Sequence, residues 1–242
     1  MKRRVLVTRP EPGASATGAK LEKEGFAPIL LPLTRIVSLE PDIPQPLETY
    51  DALVVTSPNA VRHIPQAVIA VARALPLFAV GEATGETATQ VGFTDVRAAG
   101  GTAILLAELI GRDMAAGARL LHLAAVQRTR GFIEAISALD MSMDIAEVYS
   151  AEEVSYPTDF VKGAVGPEAI WGAPVLSERA GQILSRLIID TRMQQQFELT
   201  RFFCISAKVA RALAPLTNAT TFISHEPSEE SVLELLLRHA GN

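Results

Sequence analysis

Apolar runs of strand length recur along the chain, and six of them end at a hydroxyl or a glycine that leads straight into residues of helical period. The junctions are Val5-Leu6-Val7 into Thr8, Leu53-Val54-Val55 into Thr56-Ser57, Phe78-Ala79-Val80 into Gly81, Pro174-Val175-Leu176 into Ser177, Phe203-Cys204-Ile205 into Ser206, and Phe222-Ile223 into Ser224. The first helix is predicted from about Ala14 to Glu24, with Ala14, Thr17, Gly18 and Leu21 on its inner face and Gly25 as its stop. Further faces are Val61/Ile64/Val68/Val71, Leu105/Leu106/Leu109/Ile110, Phe132/Ile133/Ile136/Leu139, Ala180/Ile183/Leu184/Leu187/Ile188 and Val232/Leu235/Leu236. Pro65 interrupts the first of these, so that helix is either kinked there or starts later. Strand and helix patterns alternate throughout, which predicts an α/β fold with mainly parallel strands.

In such a fold ligands bind at the carboxyl ends of the strands, where each following helix offers unpaired N–H groups at its positive pole. Small hydroxyl residues cap those helices and leave room for a ligand, although Ser and Thr are also ordinary N-caps with no ligand to bind. Taken together, the six junctions suit a ligand rich in anionic or carbonyl oxygens. Cations stand close behind several of them: Arg9 after Thr8, Arg179 after Ser177, Lys208 after Ser206, and Arg128 and Arg130 around Thr129. Glu11, Glu82, Glu178 and Glu226 lie equally near, so the field is mixed and each cation also suits a solvated surface role.

The halves echo one another. Val55-Thr56-Ser57 parallels Leu176-Ser177, Phe78-Ala79-Val80-Gly81 parallels Phe203-Cys204-Ile205-Ser206, and Arg119 to Leu123 parallels Arg4 to Val7, each at roughly half the chain length. Two segments break the rhythm and read as connectors. Residues 34–47 carry Pro41, Pro44 and Pro46, and residues 147–157 alternate Val148/Ser150 and Val154/Tyr156 among acidic residues.

At 242 residues and 48% apolar content the chain can bury one large core or two smaller ones. The net charge of −5 argues against broad nucleic-acid binding, so any attraction for an anion must be local. No run approaches the ~20 apolar residues of a membrane span. Only Val5 to Val7 follows the basic opening, too short for a secretory signal, and a cytoplasmic location is expected. The single cysteine, Cys204, excludes an internal disulfide and a cysteine-cluster metal site.

Several chemistries lack their motifs. There is no G-x-G-x-x-G and no P-loop, and Gly81-Glu82-Ala83-Thr84-Gly85 is too sparse to replace them. His63, His122, His225 and His239 are scattered, so no metal site is expected; His225 beside Ser224 could act as acid or base or be a surface histidine. Ser177-Glu178-Arg179 lacks the glycines of a nucleophile elbow.

In order along the chain stand Val7-Thr8-Arg9-Pro10, Leu31-Pro32-Leu33, Asp51 to Val61 with Thr56-Ser57-Pro58-Asn59-Ala60-Val61, Ala79-Val80-Gly81 with Thr84, and Val148-Tyr149. In that order and spacing the chain resembles the uroporphyrinogen-III synthase family over nearly its whole length. The resemblance implies two similar flavodoxin-like α/β domains with parallel sheets, joined by a two-stranded antiparallel ladder. It would place residues 1–36 and 152–242 in one domain and 40–147 in the other, with the connectors forming the ladder.

The family's reaction is the cyclisation of hydroxymethylbilane, a linear tetrapyrrole polycarboxylate, to uroporphyrinogen III in heme biosynthesis. Water is lost, an azafulvene is attacked by the far ring, and a spiro intermediate recloses with ring D inverted. No cofactor is implied, and a hinged cleft that selects a conformation would suffice. By resemblance, Thr56, Ser57, Asn59, Gly81 and Thr84 would bind carboxylates from one domain, and Thr8, Arg9, Ser177 and Ser206 from the other. Tyr149 would help the hydroxyl depart as water, or bridge the domains structurally. A monomer is expected, with a possible transient contact to the bilane-forming enzyme.

The second half departs from the family pattern at Leu176 to Gly181, at Ser206-Ala207-Lys208 and at Leu123 to Val126. Two other classes stay in view. A non-catalytic two-domain protein closing on an anionic small molecule would share the same strand ends. A response-regulator-like module would need an acidic cluster where Thr8-Arg9 stands.

Overall fold

The computed structural model describes residues 2–128, 131–216 and 219–241; Thr129 and Arg130, singled out in the sequence, lie outside the described residues. The chain divides into two compact units, Met1–Arg35 with Glu152–Asn242, and Ile36–Ala151. It opens in the first unit with β1 (Arg4–Val7), α1 (Gly13–Lys23) and β2 (Ala27–Leu30), then leaves along β3 (Thr34–Ser38). The second unit contains β4 (Ala52–Val55), α2 (Pro58–Arg62), α3 (Gln66–Ala72), β5 (Leu77–Ala79), α4 (Glu82–Val91), β6 (Val96–Ala98), α5 (Ala103–Asp113), β7 (Arg119–Ala125) and α6 (Gly131–Ser137). The twelve-residue strand β8 (Ser142–Glu153) carries the chain back. The first unit then adds α7 (Thr158–Val165), β9 (Gly172–Val175), α8 (Glu178–Asp190), α9 (Gln194–Phe197), β10 (Arg201–Cys204), α10 (Ala207–Ala212), β11 (Thr220–Ile223) and α11 (Glu229–Ala240).

The first sheet has the order β11-β10-β9-β1-β2, and every strand pair in it is parallel. In chain order this is the flavodoxin-like 2-1-3-4-5 arrangement. The second sheet runs β3-β8-β7-β4-β5-β6, with its five strands from β8 to β6 mutually parallel. Laid over one another, β9, β10, β11, β1 and β2 correspond to β4, β5, β6, β7 and β8. The spatial order is the same, but the βαβ piece that opens the first unit closes the second. This permutation accounts for the three sequence echoes, which pair β4 with β9, β5 with β10 and β7 with β1. Strands β3 and β8 are neighbours and antiparallel. Leu39 N–H donates to Val148 O at 2.9 Å, and Val154 N–H donates to Leu33 O at 3.0 Å, so the numbering runs in opposite directions.

Each sheet is covered on both faces, as parallel sheets require. The first packs Leu6, Val175, Phe202 and Cys204 against Ile183, Leu184 and Val209 on one side, and Val5, Val7 and Phe203 against Leu21, Val232 and Leu236 on the other. The second packs Leu53, Val55, Leu121 and Leu123 against Val61, Val68 and Ile69, and Val54, Phe78 and Leu120 against Leu106, Ile110, Phe132 and Ile136.

Two expected helical faces differ in detail. The helix drawn through Pro65 is two short helices, α2 and α3, and the break resets the phase, so Val68, Ile69 and Ala72 are buried while Val71 is 53% exposed. In α5 the buried stripe is Leu106, Ala107 and Ile110, leaving Leu105 41% exposed. The segment read as a connector from residue 147 begins inside a strand, because β8 pairs with β7 from Ser142 onward.

Helices α8 and α10 approach closely at Gly181, where an added Cβ would lie 3.0 Å from Ala212 Cβ and 3.4 Å from the Val209 carbonyl. Gly181→Val overfills that contact and is expected to destabilise the protein by about 1–3 kcal/mol, measured as a lower urea midpoint without a change in slope.

Candidate functional site

The sheet order sets four of the six junctions side by side. Ser224, Ser206, Ser177 and Thr8 follow β11, β10, β9 and β1, which are consecutive neighbours, so they line one carboxyl edge of the first sheet. Ser177 caps the thirteen-residue α8, its Oγ accepting from Ala180 N–H at 3.1 Å. Ser206 caps α10 in extended conformation and makes no side-chain capping bond. Ser224 Oγ donates to Glu226 O at 2.7 Å and so stiffens its own loop.

Thr8 and Arg9 make their contacts within the first unit itself. Thr8 is 2% exposed, and its carbonyl accepts from Leu33 N–H at 2.9 Å. The Arg9 guanidinium is engaged within its own unit. It forms an ion pair with Glu229 of α11 and donates to Thr17 Oγ1 at 3.2 Å, while Thr17 donates to Glu229 Oε1 at 2.6 Å. Burial of Glu229 raises its pKa, but the bonds from Thr17 and Arg9 outweigh it and hold the carboxyl below the usual range. A cation beside a helix N-terminus is here a structural clasp between the start and the end of the unit.

The second sheet brings Thr56, Ser57 and Gly81 to the ends of the adjacent strands β4 and β5. Ser57 is both cap and contact: its Oγ accepts from Ala60 N–H at 3.0 Å and lies 3.0 Å from the Tyr149 hydroxyl. Gly81 caps α4, and a Cβ there would come within 3.3 Å of Gly101 Cα, so glycine permits two loop backbones to meet. Asn59 accepts from Arg62 at 3.1 Å on the exposed face of α2. Thr84 is 2% exposed inside α4 and, like Thr8, stands behind the edge rather than on it. Arg128 is paired with Glu147 at 2.6 Å and donates to Ala125 O at 2.9 Å.

Tyr149 reaches this edge through a bulge. Ala124 pairs with Glu147 but Ala125 pairs with Tyr149, leaving Val148 as the extra residue. Consecutive Val148 and Tyr149 therefore both join the apolar cluster, which strict alternation would forbid. Tyr149 is 8% exposed; burial pushes its phenol above the usual value, and the Ser57 contact only partly offsets this. The His63 ring lies 6.0 Å from the Tyr149 ring, and Ser38 Oγ lies 2.6 Å from His63 Nδ1. Tyr149 is thus fixed at its hydroxyl and along its ring and stays protonated at neutral pH.

His122, in the sequence only one of four scattered histidines, has a defined place here. It occupies β7 opposite Val54, is 2% exposed, and meets the Phe132 ring edge-on at 5.2 Å. Its Nε2 lies 3.4 Å from Thr56 Oγ1, whereas Nδ1 is buried with no partner. The sequence does carry a signal for it: a lone polar residue breaks the apolar run Leu120-Leu121-His122-Leu123-Ala124. Among the described residues no group of three or more His, Cys, Asp or Glu side chains is placed to hold a metal ion, and no helix is long and apolar enough to cross a membrane.

Burial, with a smaller contribution from Arg128, lowers the His122 pKa from 6.5 to about 4. Below the unfolded value the unfolded chain takes up a proton that the folded chain refuses. The stability associated with neutral His122 is therefore complete above about pH 6.5 and lost as pH falls to about 4, by roughly 3 kcal/mol. Chemical denaturation of wild type and His122→Gln should show the wild-type-minus-variant stability difference level above about pH 6.5 and falling by roughly 3 kcal/mol as pH drops to about 4.

The chain matches the family described as Uroporphyrinogen-III synthase HemD over residues 15–234. No curated protein matches it significantly. Among solved structures it is similar to uroporphyrinogen-III synthetase from Helicobacter pylori 26695, with 18% identity, a TM-score of 0.67, and 99% of this chain and 100% of that one covered. It is similar also to a mutant uroporphyrinogen III synthase from the extremely thermophilic bacterium Thermus thermophilus, with 14% identity, a TM-score of 0.60, and 99% of each chain covered. At those identities the structures share the fold, and the family match covers most of the sequence. The chain belongs to the uroporphyrinogen-III synthase family.

Proposed function

We propose that the protein is a uroporphyrinogen-III synthase, converting hydroxymethylbilane to uroporphyrinogen III with loss of water and inversion of ring D. The observation that carries the reading is the Tyr149 hydroxyl held 3.0 Å from Ser57 Oγ at the carboxyl edge of the second sheet. A buried phenol kept protonated can donate to the departing hydroxyl of the substrate. The C–O bond breaks with its electron pair going to the oxygen, water leaves, and the pyrrole nitrogen, keeping its hydrogen, supplies electrons to form the azafulvene as its azafulvenium cation. The substituted carbon of the far ring attacks to give the spiro intermediate, which fragments and recloses at that ring's other carbon. The proton released on rearomatisation returns to the tyrosinate.

Ser57 has two tasks in this reading. It caps α2 and orients the Tyr149 hydroxyl. Thr56, the N–H groups at the start of α4 beyond Gly81, and Ser177 and Ser206 receive the substrate's carboxylates. Asn59 follows Ser57 in the first turn of α2, while Thr8, Arg9 and Thr84 serve by packing and by the Glu229 clasp that support the edges. A substrate that closes unaided needs mainly to be held in one conformation with its reacting carbons near.

Freshly generated hydroxymethylbilane supplied to the protein, followed by separation of the oxidised isomers, should yield the type III product; only the spontaneous type I isomer would defeat the reading. Tyr149→Phe is expected to lower kcat by about 100-fold with little change in KM. Ser57→Ala should lower it by about tenfold, through loss of one oriented hydrogen bond and a cap. Unchanged turnover in Tyr149→Phe would remove the phenol from the acid role.

A further inference from the structure

His122 sits where an apolar residue would pack better. The layer around it is Val54, Phe78, Leu106, Leu120 and Phe132, and burying an imidazole there with one nitrogen unpartnered costs stability. Its other nitrogen points at the hydroxyl of Thr56, at the junction of β4 with α2. We infer that His122 is a positioning residue that fixes the Thr56 hydroxyl as a donor directed to the carboxyl edge.

The location of the ring proton decides which way the hydroxyl points. A neutral imidazole has one donor and one acceptor nitrogen. If Nδ1 held the hydrogen, a buried N–H would have no acceptor, an arrangement that folded proteins rarely keep. With the hydrogen on Nε2, the ring donates to Thr56 Oγ1 and leaves only a bare Nδ1 lone pair in the apolar layer. Thr56 then accepts from below, and its own proton is free for an acceptor above. The Phe132 edge and the surrounding aliphatic side chains hold the ring in that plane. The inference rests on the proposed function only in naming that acceptor, a carboxylate of the tetrapyrrole.

Two measurements on the full chain test this separately from the activity. In long-range proton–nitrogen spectra of histidine-labelled protein at pH 7, His122 should appear as a single Nε2–H tautomer, and Thr56→Val should shift its Nε2 resonance. An Nδ1–H tautomer, averaging between the two, or no response to Thr56→Val overturns the inference. This readout stands even if no type III isomer is formed.

With hydroxymethylbilane as substrate, Thr56→Val and His122→Phe should each raise KM by about tenfold, and the double variant no further. His122→Gln, whose amide N–H reaches the Nε2 position, should retain wild-type KM, while His122→Asn, whose amide stops at the Nδ1 position, should resemble His122→Phe. Additive effects, equal behaviour of the Gln and Asn variants, or a lowered melting temperature with KM unchanged would mark His122 as structural only. If His122→Phe does not fold, the Gln and Asn pair and the tautomer decide.

Discussion

Parallel pairing is the constraint on which the rest depends. Two parallel strands cannot be joined by a tight turn, so each must be followed by a crossover, and all the strand ends of a sheet gather along one edge. In the first unit that places Thr8, Ser177, Ser206 and Ser224 in one row; in the second it places Thr56 and Gly81 side by side. These residues are far apart in sequence. What brings them together is the backbone ladder, and the hydroxyls are small enough to begin a helix without closing off the edge.

Behind the edge, polar groups are buried only where each has a task. Arg9, Thr17 and Glu229 satisfy one another within the first unit, so a charge pair that would be costly alone is closed by a third partner. Tyr149 buries its ring and keeps a hydroxyl partner in Ser57. His122 is an exception, with one ring nitrogen unsatisfied; among the described residues the other buried side-chain atom without a partner is Gln196 Oε1, on α9. Folded proteins leave few such groups, which makes this one informative.

The strand-to-helix junctions were legible in the sequence because hydrophobic runs of strand length and helical stripes differ in period. The duplication was legible too, since β4, β5 and β7 repeat the pattern of β9, β10 and β1, although only the pairing of strands shows that the second unit is a permuted copy. The state of individual side chains was less so. Nothing local says that Arg9 will meet Glu229, more than two hundred residues on, or that Thr8 and Thr84 will turn inward. The bulge at Val148 is equally silent, because alternation predicts one inward residue where the structure buries two in succession. His122 was visible as a break in an apolar run, but its partner Thr56 becomes a neighbour only through the register of β4 with β7.

The permuted arrangement also orders events during synthesis. Ile36–Ala151 is continuous, so once it has left the ribosome the second unit has every strand it needs. The first unit begins with β1, α1 and β2, yet its central strand β9 is made only after the whole second unit, and the Glu229 that clasps Arg9 later still. Val5, Leu6, Leu21 and Phe26, all buried in the finished protein, have no native partners from β9 onward for most of translation. The earliest part of the chain is thus among the last to be enclosed, and the continuous unit grows while the apolar surface of that opening βαβ segment waits.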